Sequence, residues 1–209
     1  MGKSKKGFSE LESCMRLLLH TCCAPCLIGP LEDLKSGGFE VAAFFYNPNI
    51  HPLLEFRKRI KAIRTLESAL DFSLFLDEEY GLREFLDSVN WKDNIAGRCK
   101  GCYRMRLNET ARMAVKLGIN VFSTTLLSSR HQNHEDVRRA GESASAAYGP
   151  RFFYKDMRSL SVKSHEEARR RSIYRQKYCG CIFSEMERYS GPVNEDAVVP
   201  GWNPDKMDA

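Results

Sequence analysis

Five short apolar runs, each followed by a stretch with helical spacing, constrain this chain more than anything else in it. Residues 15–20, 40–46, 72–76, 120–126 and 151–154 read as strands. Helical stretches are expected at 27–36, 52–70, 82–89, 102–117 and 134–148, with Pro52 well suited to a first helical position. Gly37-Gly38 and Gly149-Pro150 act as stops. A basic helix is expected over 164–171, with Ser164 as N-cap and Glu167 as its capping-box partner. Strands alternating with helices predict an α/β fold, a doubly wound parallel sheet with helices on both faces. The 209 residues suffice for one such domain, placed at 15–189 between a basic extension (1–14) and an irregular tail (190–209). Ligands of these sheets bind beyond the carboxyl ends of the strands, where the strand order reverses. If the first and fourth strands are neighbours, Cys22, Cys23 and Thr125 line that crevice.

Seven of the eight cysteines fall in three tight clusters: Cys22-Cys23-Ala24-Pro25-Cys26, Cys99-Lys100-Gly101-Cys102 and Cys179-Gly180-Cys181. Close thiol pairs pinch a metal, and several pairs brought together build a cluster site or two neighbouring sites. The side chains of adjacent Cys22 and Cys23 are expected to diverge, which suits two irons of one cluster, or a cluster and a second metal beside it, better than a single ion. Cys99 and Cys102, read as the start of a helix, would lie where free backbone N–H groups favour thiolates. Cys179 and Cys181 could clamp one iron or form a strained redox disulfide. A structural zinc site remains the plain alternative, although zinc needs four ligands and seven thiols are offered. Cys14 stands apart and reads as a free or buried thiol.

No apolar run approaches membrane length, and no apolar signal region follows the basic N-terminus, so a cytoplasmic protein with reduced thiols is expected. The net charge of +5 fits a nucleic-acid partner without requiring one. Arg104, Arg106 and the run Arg169 to Arg171 are candidates for phosphate contacts.

Several longer motifs occur in one order along residues 15–187. They are Leu19-His20-Thr21-Cys22-Cys23-Ala24-Pro25-Cys26, Phe45-Tyr46-Asn47-Pro48-Asn49-Ile50, Arg98-Cys99-Lys100-Gly101-Cys102, Thr124-Thr125-Leu126-Leu127 and Tyr174-Arg175-Gln176-Lys177-Tyr178-Cys179-Gly180-Cys181. Together they resemble the cobalamin-independent epoxyqueuosine reductase family, QueH. The departures are Met157 after Asp156 and the basic extension. The resemblance implies a fold like the nucleotide alpha-hydrolase (HUP) group. It also implies reduction of epoxyqueuosine to queuosine at the wobble position of tRNA, the last step of queuosine synthesis. Its implied cofactor is a 4Fe–4S cluster held by Cys22, Cys23, Cys99 and Cys102, with Cys26 as the further candidate ligand. An additional mononuclear iron could serve as Lewis acid. Cobalamin and ATP are not expected, since Thr21 to Cys26 occupies the place of a pyrophosphate loop. The implied partners are a tRNA anticodon arm and an external electron donor, with no membrane. Cys179 and Cys181 are expected to be essential, either at the second iron or as a dithiol–disulfide pair. His20 and Asp156 are candidate catalytic residues, and Thr125, His134, Asn47 and Arg175 candidate substrate contacts. Other readings are an iron–sulfur tRNA sulfur transferase and a zinc-stabilised RNA-binding module.

Overall fold

The computed structural model describes residues 15–90 and 92–191. The expected extension 1–14, which includes Cys14, and the tail from 192 onward lie outside them. Five parallel strands form one sheet: β1 (Met15–His20), β2 (Phe39–Phe45), β3 (Ser73–Leu76), β4 (Val121–Thr124) and β5 (Arg151–Phe152). Their order is β3-β2-β1-β4-β5, and all four pairings are parallel. This is the doubly wound, HUP-like arrangement, with its switch point between β1 and β4.

The period-2 alternation of β1 assigns the helices to faces. Leu17 and Leu19 join a core with α1 (Ala24–Ser36), α2 (Leu53–Ala69) and Ala168 of α6 (Ser161–Arg170). Leu18 points the other way, into a core with α4 (Ile95–Lys116) and α5 (His134–Tyr148). All three leucines are fully buried, each worth about 1.5–3 kcal/mol of transfer free energy. The short α3 (Leu82–Ser88) packs on α4, and α7 (Ile182–Tyr189) follows the last cysteine pair.

Three helix starts differ from expectation, each for a local reason. α1 begins at Ala24, inside the first cysteine motif, because the Cys23 sulfur caps it by accepting the Cys26 N–H at 3.4 Å. α4 begins at Ile95, where the Asn94 side chain accepts the Gly97 N–H at 3.0 Å. Gly101 then lies against α3, where a Cβ would stand 2.6 Å from the Ser88 carbonyl oxygen. Ser164 is not an N-cap: α6 starts at Ser161, and the buried Ser164 hydroxyl accepts the Gly29 N–H at 3.0 Å, joining α6 to α1. Glu167 instead pairs with Arg170 and Arg171. α7 has no counterpart among the expected elements; its cap is the Cys181 sulfur, which accepts the Ser184 N–H at 3.3 Å.

Candidate metal centre

The switch point assembles the first thiol group. β1 ends with His20 beside Thr124 of β4. Beyond it, the Cys22 N–H donates to the Thr125 hydroxyl at 3.2 Å, and that hydroxyl donates to the Cys22 sulfur at 3.5 Å. The chain bends at Cys22 and is extended again at Cys23. Strand alternation therefore no longer separates the adjacent side chains, and their sulfurs stand 3.8 Å apart rather than diverging. The first turn of α1 adds Cys26, so the sulfurs of Cys22, Cys23 and Cys26 all lie within 4.8 Å of one another. Gln176 closes the group from the C-terminal segment, its Nε2 donating to the Cys23 sulfur at 2.9 Å.

Hydrogen bonding from Cys23 and Cys26 holds the Cys22 thiol well below the ordinary range, despite burial. Burial pushes the Cys23 thiol up, and hydrogen bonding to its neighbours raises Cys26. Metal binding requires thiols in their deprotonated form, and the three sulfurs differ in how readily they reach it, Cys22 most readily. Three soft sulfurs with no carboxylate among them suit an iron–sulfur group, zinc or copper(I) and not a hard cation. The donor set fits the implied iron–sulfur group.

A second wall is built by α4. Cys99 and Cys102 lie past the first turn, where the backbone N–H groups are already bonded within the helix, so they lack the free donors expected at a helix start. Burial pushes Cys99 up to about 11, with the neighbouring Cys102 and Cys179 sulfurs adding to it; burial also raises Cys102. Between the two walls lies Arg106, 3% exposed. Its Nη1 reaches the Cys102 sulfur at 3.8 Å, its Nε donates to His20 Nε2 at 3.2 Å, and its Nη2 donates to Asn47 Oδ1 at 2.7 Å. Arg106 is thus unavailable to a phosphate on the surface, contrary to the sequence expectation. Its helical phase gives it away: Tyr103, Leu107 and Thr110 on either side are all buried. Arg104 and Arg169 are exposed, while Arg170 and Arg171 are tied to Glu167.

The third thiol pair sits on a loop clamped from below. Arg59 (1% exposed) is paired with Glu55 at 2.7 Å and donates to the carbonyls of Cys179 and Tyr178 at 2.9 and 3.1 Å. Gly180 adopts φ +125°, and its Cα hydrogen faces the Arg59 guanidinium, where a Cβ would come within 3.1 Å. The His51 N–H donates to the Gly180 carbonyl at 2.7 Å. Cys179 and Cys181 are free thiols with sulfurs 3.9 Å apart. Hydrogen bonds from Cys181 and then Ser184 hold Cys179 down to about 6, whereas Cys181 is pushed up by its charged partner.

The remaining candidates scatter. His20 is fully buried, and burial together with Arg106 lowers it to about 3, so it is neutral at pH 7. Because the Arg106 Nε always carries its hydrogen, His20 Nε2 accepts and Nδ1–H donates to the Thr124 hydroxyl at 2.8 Å. Asn47 is buried with both amide ends engaged, its Nδ2 on the Thr21 carbonyl. His134 starts α5, with Nε2 at 3.2 Å from the Ser129 carbonyl and Nδ1 3.8 Å from Asp156. Asp156 is exposed, and Arg158 holds its carboxyl down to about 2, so it carries no proton to donate at neutral pH. Arg175 is exposed. Gln176 was not foreseen as part of the site, although it lies within the third motif.

Comparison with known proteins agrees with this arrangement. Residues 17–187 match the family model described as "Epoxyqueuosine reductase QueH". The chain is similar to the epoxyqueuosine reductase QueH of Dehalococcoides mccartyi, at 38% identity over 85% of this chain and 96% of that one. It is similar to the protein of the same name from Thermotoga maritima at 38% identity, covering 82% and 91%. The Haemophilus influenzae protein of that name is 32% identical over 81% and 71%. With the family model spanning both walls of the thiol site, the chain belongs to the epoxyqueuosine reductase QueH family.

Proposed function

We propose that this chain reduces the epoxide of epoxyqueuosine to the alkene of queuosine at the wobble position of tRNA, in the cytoplasm and without cobalamin or ATP. The observation that carries the reading is the triad of sulfurs from Cys22, Cys23 and Cys26 at the switch point of the sheet. Among the described residues no helix is long and apolar enough to cross a membrane.

The reaction consumes two electrons and two protons: both carbon–oxygen bonds of the epoxide break, and the oxygen leaves as water. Cys22, Cys23 and Cys26 would hold an iron–sulfur group, with Cys99 and Cys102 on the facing wall as further ligands to it or to a second iron. When bound, such a group supplies electrons singly from an external donor, and a mononuclear iron supplies a Lewis acid. The chain's own residues then orient and protonate. The Thr125 hydroxyl, already on Cys22, is a fixed hydroxyl donor beside the triad. His134 Nε2 donates to the Ser129 carbonyl, which leaves its buried, unpartnered Nδ1 as an acceptor for a substrate hydroxyl. Cys179 and Cys181 lie on the exposed side of the site. As a dithiol they release two electrons and two protons on forming a disulfide, the same stoichiometry the epoxide needs. Arg175, with Arg104 and Arg169, is exposed and suited to backbone phosphates of the anticodon arm. A bulky modified base must leave the stack to reach sulfurs this deep.

The test is anaerobic: metal and sulfide analysis of the purified chain, then mass spectrometry of nucleosides from epoxyqueuosine-containing tRNA incubated with it and a low-potential reductant. Queuosine, one oxygen lighter, is expected. Unchanged epoxyqueuosine with a loaded metal site overturns the reading. Sulfur in the product nucleoside replaces it with a transferase, and zinc without iron replaces it with an RNA-binding module.

A further inference from the structure

We infer that Arg106 is the fixed counter-charge of the thiol centre, a positioning residue whose buried guanidinium sets how readily the sulfur-bound group accepts an electron. The inference rests on the metal-centre reading above and assigns a role to a residue outside the ligand set.

A guanidinium cannot shed its proton, so burying one is unfavourable unless an anion accompanies it. Arg106 is buried at 3% exposure, yet its hydrogen-bond partners are the His20 imidazole, the Asn47 amide and the Cys102 sulfur. Among the described residues no carboxylate forms an ion pair with it. The site group that it touches is the Cys102 sulfur, and a guanidinium N–H···S contact strengthens when that sulfur is a thiolate, as a metal-bound sulfur is. Among the described residues Arg106 is therefore the buried arginine that meets a thiol of the site without a carboxylate partner of its own. His20 and Asn47 do not neutralise it; they aim it, one fixing Nε and the other Nη2.

A purely mechanical role is the alternative, since Arg106 also ties α4 to the end of β1 and the loop after β2. The two roles separate by charge. Arg106→Lys keeps the charge and loses the forked hydrogen bonds. Arg106→Gln loses the charge. Asn47→Asp leaves Arg106 and its 2.7 Å partner in place but supplies a carboxylate that neutralises it.

The experiment is a redox titration of the anaerobically reconstituted full-length chain, followed by its visible absorption and by electron paramagnetic resonance, with iron and sulfide counted first. A positive charge nearby favours the reduced, more negative state. At the potential where the parent is half reduced, R106Q and N47D are expected to show a reduced-to-oxidised ratio about tenfold lower, which is about 59 mV for one electron. R106K is expected to stay within about threefold of the parent. If R106Q and N47D fail to load iron while R106K loads, the charge is required for assembly and the inference stands in stronger form. If N47D matches the parent, or R106K is impaired as badly as R106Q while N47D is not, Arg106 is a brace and the inference falls. A parent protein without iron and sulfide would instead overturn the metal-centre reading, a result visible before any variant is made.

Discussion

Among the described residues two arginines are buried, and they are buried on different terms. Arg59 is matched by Glu55 and by two backbone carbonyls, so its charge is spent inside the fold. Arg106 has a ring nitrogen, an amide oxygen and a sulfur, and no carboxylate. The first arrangement is complete as it stands and holds a loop. The second is complete only when the sulfurs around it are negative. A buried charge with its counter-ion built in marks architecture; one without it marks a place where something else must bind.

The largest effect expected from this contrast is on stability. Glu55→Ala strands the Arg59 guanidinium and should destabilise the metal-free chain by about 3–5 kcal/mol in chemical denaturation. Arg106→Met removes a cation that, among the described residues, has no carboxylate partner. The desolvation relieved offsets the hydrogen bonds lost, and the metal-free variant should lie within about 1 kcal/mol of the parent. Equal losses in the two variants would erase the distinction.

His20, which holds Arg106, gives the next effect. Its folded value of about 3 lies below the unfolded value of 6.5, so the unfolded chain binds the extra proton. Its contribution is present above pH 6.5 and is lost as the pH falls toward 3, at about 1.4 kcal/mol per pH unit. Denaturation of the metal-free chain at pH 6.5 and 4.5 should therefore differ by about 2 kcal/mol more in the parent than in His20→Gln. An identical pH dependence in the two would place a charged imidazole beside Arg106.

A smaller effect reports on the loop that Arg59 holds. In the metal-free chain, alkylation of Cys179 by iodoacetamide should rise with a midpoint near pH 6, because the thiolate predominates above that value. Removing the Cys181 thiol in Cys181→Ala should move the midpoint upward and slow the reaction at pH 7 several-fold. A midpoint unmoved by that change would separate the two sulfurs chemically. Smallest is Gln176→Leu. It deletes the N–H···S bond to Cys23 together with a buried Oε1 that has no partner, and should change metal-free stability by about 1 kcal/mol or less.

The fold was legible because strand signals are local. Leu17, Leu18 and Leu19 are an apolar run whichever sheet they join, and the crossovers between runs leave a parallel order as the natural one. Helix starts were less legible where a sulfur does the capping, as Cys23 and Cys181 do, since thiols are not among the usual cap residues. At α4 the signal existed in Asn94 and its Gly97 partner, but the glycine- and charge-rich stretch after it hid the helix. The cysteine motifs announced the site. Which sulfurs share a wall was not legible, because Cys26 joins Cys22 and Cys23 only through the first turn of α1, whereas Cys99 and Cys102 approach from a different helix. Arg106 was read as surface charge because residue type outweighed helical phase.

The clamp on the last thiol loop also fixes when the site can exist. The carbonyls that Arg59 holds belong to residues 119 and 120 positions further along the chain, and Gln176 reaches back 153 positions to Cys23. A ribosome making this protein delivers β1, α1 and the Cys22–Cys26 sulfurs first, and they wait through most of synthesis with one side open. The pocket is walled only when Gln176 and the Cys179–Cys181 loop emerge. A metal held by these sulfurs would therefore be enclosed only late in the synthesis of each molecule, and the nascent thiols stay open to oxidants for as long as translation lasts.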